Sequence, residues 1–382
     1  MNQNDLIDIR RLLHQNAELS CQEAKTARLV QNILQNAHPD AIVNNIAGNG
    51  IAAVFNGKGD GQTVLFRCEL DALTIPESIQ TPHGSTNDGV SHKCGHDGHM
   101  AIMLGLAHRL SENPPDKGQV VLLFQPAEET GEGAQLVIDD ETFQKHVPQP
   151  DYVFALHNLP GYPLGEIVVR DDVFASASIG MIVDLEGATS HAAEPQEGRS
   201  PAMALSQIIQ GLSAAPQFYT ALHEACQVTI IHAHLGEIAF GTSPGYGQVS
   251  ATLRSHSTDV LEKIKQVCVR IVENIAKAYE LDYSIQWREE FLATVNQKRA
   301  VEIIKASAGE CKFAITEPNT PFPWSEDFGR FMNMYKGALF GLGAGKNQPA
   351  LHHPDYDFPD ELIETGVNIF EAILHRTVKE DG

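Results

Sequence analysis

The sequence predicts an α/β protein: a main domain with a mostly parallel central sheet flanked by helices, interrupted by a smaller α+β sandwich. Two features carry this expectation. Short runs that are apolar throughout alternate with longer helical stretches, the pattern of parallel strands covered on both faces. From residue 180 to residue 288 the texture changes to strand, helix, strand, strand, helix, strand, the order of a small sandwich set into a larger unit. The main domain then takes residues 1–179 and 289–382, and the insertion takes 180–288.

The elements follow in order. Ser20 to Glu23 is a capping-box pattern ahead of the amphipathic run Ala24 to Ile33. Thr63 to Phe66, Val120 to Phe124 and Tyr152 to Leu156 read as buried strands, each ending in a polar cluster. The first runs into Glu69-Leu70-Asp71, the second into Glu128-Glu129 and the third into His157. Open α/β sheets bind ligands beyond the carboxyl ends of their strands, so parallel pairing would bring these groups to one crevice. Met100 to Leu110 is almost wholly apolar and reads as a buried helix. The insertion carries strands at 181–185, 227–232, 248–254 and 282–287 and helices at 201–212 and 260–279. Helix, strand and helix resume at 295–308, 338–343 and 359–374.

Composition narrows the function. A chain of 382 residues is long for one core, which makes two domains the prior. A net charge of -22 argues against nucleic acid or an anionic membrane surface as partner, since both call for basic patches. The start, MNQNDLIDIRRLLHQ, lacks the apolar core of a signal peptide, and no run of eighteen apolar residues follows. Six scattered cysteines make no disulfide framework, so the cytoplasm is the expected compartment.

Metal-capable side chains are densest at His92-Lys93-Cys94-Gly95-His96-Asp97-Gly98-His99. On a helix Cys94 and His96 would face opposite sides, but a loop containing glycine lets both reach one ion or a close pair. The helix that follows places them at a positive N-terminus, which favours the thiolate. A buried cysteine beside solvated histidines is the plainer alternative, and the density of the cluster argues against it. In extended backbone Glu128 and Glu129 point to opposite sides, so one can bind metal while the other faces a substrate water. Two such acids repel unless a cation offsets them. His352, in His352-His353-Pro354-Asp355, is a further ligand candidate.

HKCGHDGHM, QPAEETGEGA, ALHNLPG, GATSHAAEPQEGRSP, WSEDF and LHHPDYDFPDE occur in this order over nearly the whole chain, after an opening RRLLHQNAELSCQE that holds His14 and Glu18. This set resembles the amidohydrolase branch of the co-catalytic metallopeptidases, with its hippurate hydrolases, auxin-conjugate hydrolases and N-acetyl-diaminopimelate deacetylases. The resemblance implies that the main domain is a catalytic metal-binding domain and the insertion a lid that also forms a homodimer, with higher oligomers open. It implies two divalent ions per chain, bridged by Cys94. Glu129 and His352 would complete one site, His96 and His157 the other. Glu128 would be the general base, and Asp71 would orient a ligand imidazole, with Asp97 acting likewise. His191 would reach the neighbouring subunit's site, binding substrate and steadying the oxyanion. His92, His99 and His353 are left as structural.

Two departures stand out. The usual Asp-Met-Asp reads Glu69-Leu70-Asp71, and the segment that often reads Asn-Val-Ile-Pro is Gly241-Thr242-Ser243-Pro244. The second bears on how a substrate carboxylate is held, with Arg254 as the candidate partner. The expected reaction is metal-dependent hydrolysis of an amide bond in N-acyl amino acids or small peptides, by a metal-bridging hydroxide with Glu128 as base. A thiolate with imidazoles suits zinc and the carboxylates keep manganese open, with nickel or cobalt as further candidates. The alternatives are an amidase with Cys94 as nucleophile and a non-catalytic metal-binding protein.

Overall fold

The computed structural model describes residues 1–78 and 81–378. The chain separates into two compact units. The first comprises Met1–Phe174, Thr294–Thr320 and the chain from Asp327 onward, and the second comprises Ala175–Ala293 with Pro321–Glu326. Compared with the expected 180–288, the second unit begins and ends a few residues further out and includes a short returning piece.

The first unit is built on an eight-stranded sheet in the order Ala41–Ile46, Gly50–Asn56, Gln119–Gln125, Thr63–Glu69, Tyr152–Pro160, Lys336–Gly345, Ile167–Val168, Ile315–Thr316. Its four central strands run parallel and pair in that order, with Glu69 opposite Gln125 and Arg67 opposite Ala155. Antiparallel pairs lie outside this centre. The apolar runs fall on the central strands because both faces are covered. Phe66 packs on Phe154 at 6.0 Å and on Phe370 of the helix Leu362–Thr377 at 4.8 Å between ring centroids. The helix His96–Glu112 is buried almost all round, as its composition requires, and packs against Gln3–Gln15 and Leu362–Thr377.

One local expectation fails. The helix Ala24–Gln35 forms, but Ser20 and Glu23 make no capping box, and Glu23 at the N-cap makes no side-chain capping bond. Glu18 takes that role instead: its Oε2 accepts the N–H groups of Lys25 and Thr26, each at 2.8 Å. The Ser20 hydroxyl donates to Asp71 Oδ2 at 2.7 Å, a partner that lies 51 residues along the chain.

The second unit holds a four-stranded antiparallel sheet in the order Cys226–Leu235, Tyr246–Ser255, Ala177–Glu186, Asp282–Phe291. Helices Ala202–Tyr219 and Thr258–Ala278 pack against it and each other. The strand Ala177–Glu186 alternates buried and part-buried residues, as a sheet covered more fully on one face should. A two-stranded ribbon pairs Ser190–His191 with Thr242–Ser243.

Candidate metal centre

The parallel centre of the sheet sets the positions. Asp71, Glu128 and His157 all lie at the carboxyl ends of neighbouring strands. Cys94 arrives on a loop that turns at Gly95, whose φ of +92° is the left-handed region that glycine reaches without strain. The turn is also closely packed, because a Cβ at Gly95 would lie 2.7 Å from the Asn158 amide. The helix starts at His96, so Cys94 and His96 flank this turn and reach the same place. His352 joins them from the C-terminal segment, its N–H donating to the Lys93 carbonyl at 2.9 Å.

Two groups of three ligand atoms meet at the thiol. Cys94, His96 and His157 form one, Cys94, Glu129 and His352 the other, with the atoms of each group within 4.8 Å of one another. Cys94 Sγ lies 3.4 Å from His157 Nε2, and His352 Nε2 lies 3.7 Å from Glu129 Oε2. His96 Nε2 stands 4.0 Å from a carboxylate oxygen of both Glu128 and Glu129. His352 is the exposed member, while Cys94, His96, Glu128 and His157 are buried.

The donor set fits a pair of cations. His96 Nδ1 faces the Asp71 carbonyl at 2.9 Å, an acceptor, so Nδ1 carries a proton and Nε2 is turned inward, where a bound cation would take the place of its proton. That Nε2 is fully buried and makes no hydrogen bond. His157 Nδ1 likewise faces the Asn158 carbonyl at 3.0 Å, which turns Nε2 toward Cys94. Burial, with the neighbouring His99, lowers the His157 pKa to about 3, which keeps it a neutral donor. Burial also opposes charge on His96, yet Asp71, Glu69 and Glu129 together raise its pKa to about 10. The carboxylates of Asp71, Glu69 and Glu129 therefore favour positive charge at His96.

The surrounding shell was mostly invisible in the sequence. Asp71 Oδ2 accepts the Glu129 N–H at 3.0 Å, and its Oδ1 stands 3.7 Å from His96 Nδ1. Glu128 Oε1 accepts the Asp327 N–H at 3.3 Å. The Asp327 carboxylate is itself held by the Arg67 guanidinium, Gln125 Nε2 and the Ala134 N–H. Asp327 sits in WSEDF, a motif to which the residue order alone assigns no role. Ala127, just before the acidic pair, has a φ of +56°, a conformation that costs a non-glycine residue about 1–2 kcal/mol. Its N–H is accepted by Glu23 Oε1 at 2.9 Å.

Beneath the ligands His99 runs between Glu69 Oε2 at 2.6 Å and Asn158 Oδ1 at 2.5 Å, its ring 5.0 Å from that of His157. Asp97 does not orient a ligand imidazole. Its Oδ2 takes His14 Nδ1 at 2.8 Å and Arg10 at 3.2 Å, because the first helix packs over that side of the His96 helix. His353 is exposed, and its Nδ1 accepts the Asp355 N–H.

His191 and Arg254 belong to the second unit. His191 is exposed on the ribbon opposite Thr242, and its Nδ1 accepts the Ala193 N–H at 3.0 Å, leaving Nε2–H to donate. The divergent segment Gly241–Pro244 is thus the strand that pairs with His191. Arg254 is half-buried, and its Nη1 donates to the Pro323 carbonyl and to Ser325 Oγ, each at 3.1 Å.

The fold and this donor set define a metal-dependent hydrolase of carbon–nitrogen bonds, and the chain belongs to the peptidase family M20/M25/M40, whose pattern matches residues 65–376. Among its relatives, an N-acetyldiaminopimelate deacetylase of Bacillus pumilus is 29% identical over 397 residues, covering 100% of each chain. An N-acetyl-L-cysteine deacetylase of Bacillus subtilis is 29% identical over 94% of this chain and 85% of its own. Among solved structures, the Bacillus subtilis YXEP protein, described as a dinuclear metal-binding peptidase of the M20 family, superposes with a TM-score of 0.82 at 24% identity, covering 99% and 98% of the two chains. The aminobenzoyl-glutamate utilization protein of Klebsiella pneumoniae gives 0.74 at 21%, covering 97% and 95%.

Proposed function

We propose that this protein hydrolyses the amide bond of N-acyl amino acids or small peptides, using two divalent ions. The observation that carries the reading is the meeting of the two ligand groups at Cys94. Cys94 would be shared, with His96 and His157 completing one site and Glu129 and His352 the other. The thiolate and imidazoles favour zinc, and the carboxylates keep manganese open, with nickel or cobalt as further candidates. When bound, the ions polarise the scissile carbonyl and make water acidic enough to attack at neutral pH.

The chain's own residues supply the remaining steps. Glu128, fixed by the Asp327 N–H, takes the water's proton and delivers it to the leaving nitrogen. Asp71 steadies His96 through its carbonyl and the Glu129 amide through its carboxylate. His191, whose Nδ1 accepts the Ala193 N–H and so leaves Nε2–H to donate, would serve the developing oxyanion from the neighbouring chain of a homodimer built through the second unit. Arg254 is the candidate partner for a substrate carboxylate. The names of the two deacetylases point to N-acetyl amino acids as the first substrates to try. The cytoplasm is the proposed compartment, which six scattered cysteines suit.

The contact between Cys94 and His157 at 3.4 Å also suits a second reading, a thiol nucleophile with a histidine base. A panel of N-acetyl, N-benzoyl and indole-acyl amino acids with dipeptides, assayed with and without chelator, separates the two. The metal mechanism loses activity in chelator and recovers it with added divalent ion, and Cys94→Ala loses at least one metal by elemental analysis. Full activity in chelator, abolished by alkylation, would establish the thiol route instead.

A further inference from the structure

We propose that Glu23 is a positioning residue for the acidic pair: its buried carboxylate holds the left-handed backbone of Ala127, and that turn aims Glu128 into the site. The inference rests on the assignment of Glu128 as general base. Glu23 is fully buried. Its Oε1 accepts two backbone N–H groups, from Cys21 at 2.8 Å and Ala127 at 2.9 Å, and its Oε2 accepts Asn49 Nδ2 at 2.8 Å. Both backbone donors are non-glycine residues at positive φ, +64° for Cys21 and +56° for Ala127.

A carboxylate held in the interior by neutral donors is costly to keep. Helix capping does not explain it, because the Glu23 side chain makes no bond to the helix it precedes and Glu18 already serves the first-turn amides. What it reaches is the backbone N–H of Ala127, the residue before Glu128. The carbonyl side of Ala127 is held from within the turn, since its oxygen accepts the Gly133 N–H at 3.0 Å and the Thr130 hydroxyl at 3.1 Å. Its N–H side is held by Glu23. The same loop grips the other end of the pair, because Ser20 donates to the Asp71 oxygen that accepts the Glu129 N–H. Residues 20–23 therefore bracket Ala127–Glu129 from outside the sheet. Without Glu23, Ala127 is free to leave the left-handed region, and the Glu128 carboxylate turns with it.

Three variants test this. Glu23→Ala should lower kcat about 10–100-fold with KM within about 2-fold, the mark of a misaimed group and not of lost binding. Its metal content should equal that of the parent. Glu23→Gln keeps an acceptor oxygen toward Ala127 and should retain most of kcat. Glu23→Ala with Ala127→Gly should recover much of the loss, because glycine holds positive φ unaided. Hydrogen exchange on the metal-free protein gives a readout independent of activity: in Glu23→Ala, segment 126–131 should exchange about 10-fold faster while strand 119–125 keeps its rate. Unaltered exchange, unaltered kcat, or a loss of fold and metal that Ala127→Gly leaves in place would overturn the assignment. Glu128→Gln serves as the control. An active Glu128→Gln defeats the general-base reading itself, whereas an inactive one beside a normal Glu23→Ala defeats only the positioning role.

Discussion

Adding one methyl group at Gly98 should show whether the helix carrying His96 and the segment carrying His352 are mechanically joined. Gly98 lies in the first turn of His96–Glu112, against the ring of Phe358, which is 2% exposed. A Cβ there would stand 2.4 Å from three ring atoms, Cγ, Cδ2 and Cε2. Carbon atoms pack at about 3.5–4.0 Å, so the ring must retreat by roughly 1 Å. Rotation about the ring bond cannot relieve a clash at Cγ, which lies on the rotation axis. Alanine improves the helix by about 0.5–1 kcal/mol over glycine, while overpacking costs about 1–3 kcal/mol. With Cγ involved the upper half of that cost applies, leaving Gly98→Ala less stable by about 1–2.5 kcal/mol. In a domain of this size that is a fall of about 2–10 °C in the thermal midpoint. A displaced Phe358 also loosens the chain back to His352, so one metal should be held less tightly. Thermal unfolding and elemental analysis after dialysis measure the two effects, and Phe358→Leu in the same chain should relieve both. If Gly98→Ala matches the parent in midpoint and metal content, the coupling argued here does not exist.

Three further outcomes are expected. Glu128→Gln should keep its metals and lose activity by about 10²–10⁴-fold, whereas Glu129→Gln should lose metal as well; elemental analysis of both variants would expose a reversed assignment within the pair. The His14 ring resists charging because it is buried, but bonds to Asp97 and Glu77 raise its pKa from 6.5 to about 9. Its stabilisation is therefore complete below about pH 6.5 and disappears as pH rises through about 9, a change of roughly 3 kcal/mol that denaturant titrations should find in the parent and miss in His14→Gln. Mixing His191→Ala with Glu128→Gln should restore partial activity as subunits exchange, and no recovery despite exchange seen by native mass spectrometry would place His191 in its own chain's site or outside catalysis.

The parallel strands, the inserted sandwich and the Cys94 loop were all legible from residue order. Strand burial on both faces appears as an unbroken apolar run, as in Val120 to Phe124, and a change of texture marks the insertion. The proposed metal ligands at 94, 96, 129, 157 and 352 and the proposed base at 128 could likewise be named from chemistry and motif, since each follows a strand or precedes a helix that the local pattern predicts.

The supports of those residues were not legible, and the capping box shows why. Ser20 and Glu23 stand at the right spacing to cap their own helix, yet each finds a better partner elsewhere, Asp71 for one and the Ala127 amide for the other. Asp327 reaches the Glu128 carboxylate across 199 residues of chain, and Asp97, beside the proposed ligand His96, turns away toward Arg10 and His14. Periodicity and capping signals report competition among near neighbours along the chain. A buried carboxylate is decided by every donor that packing brings within about 3 Å, and those donors come together only when the sheet and its helices have closed around them.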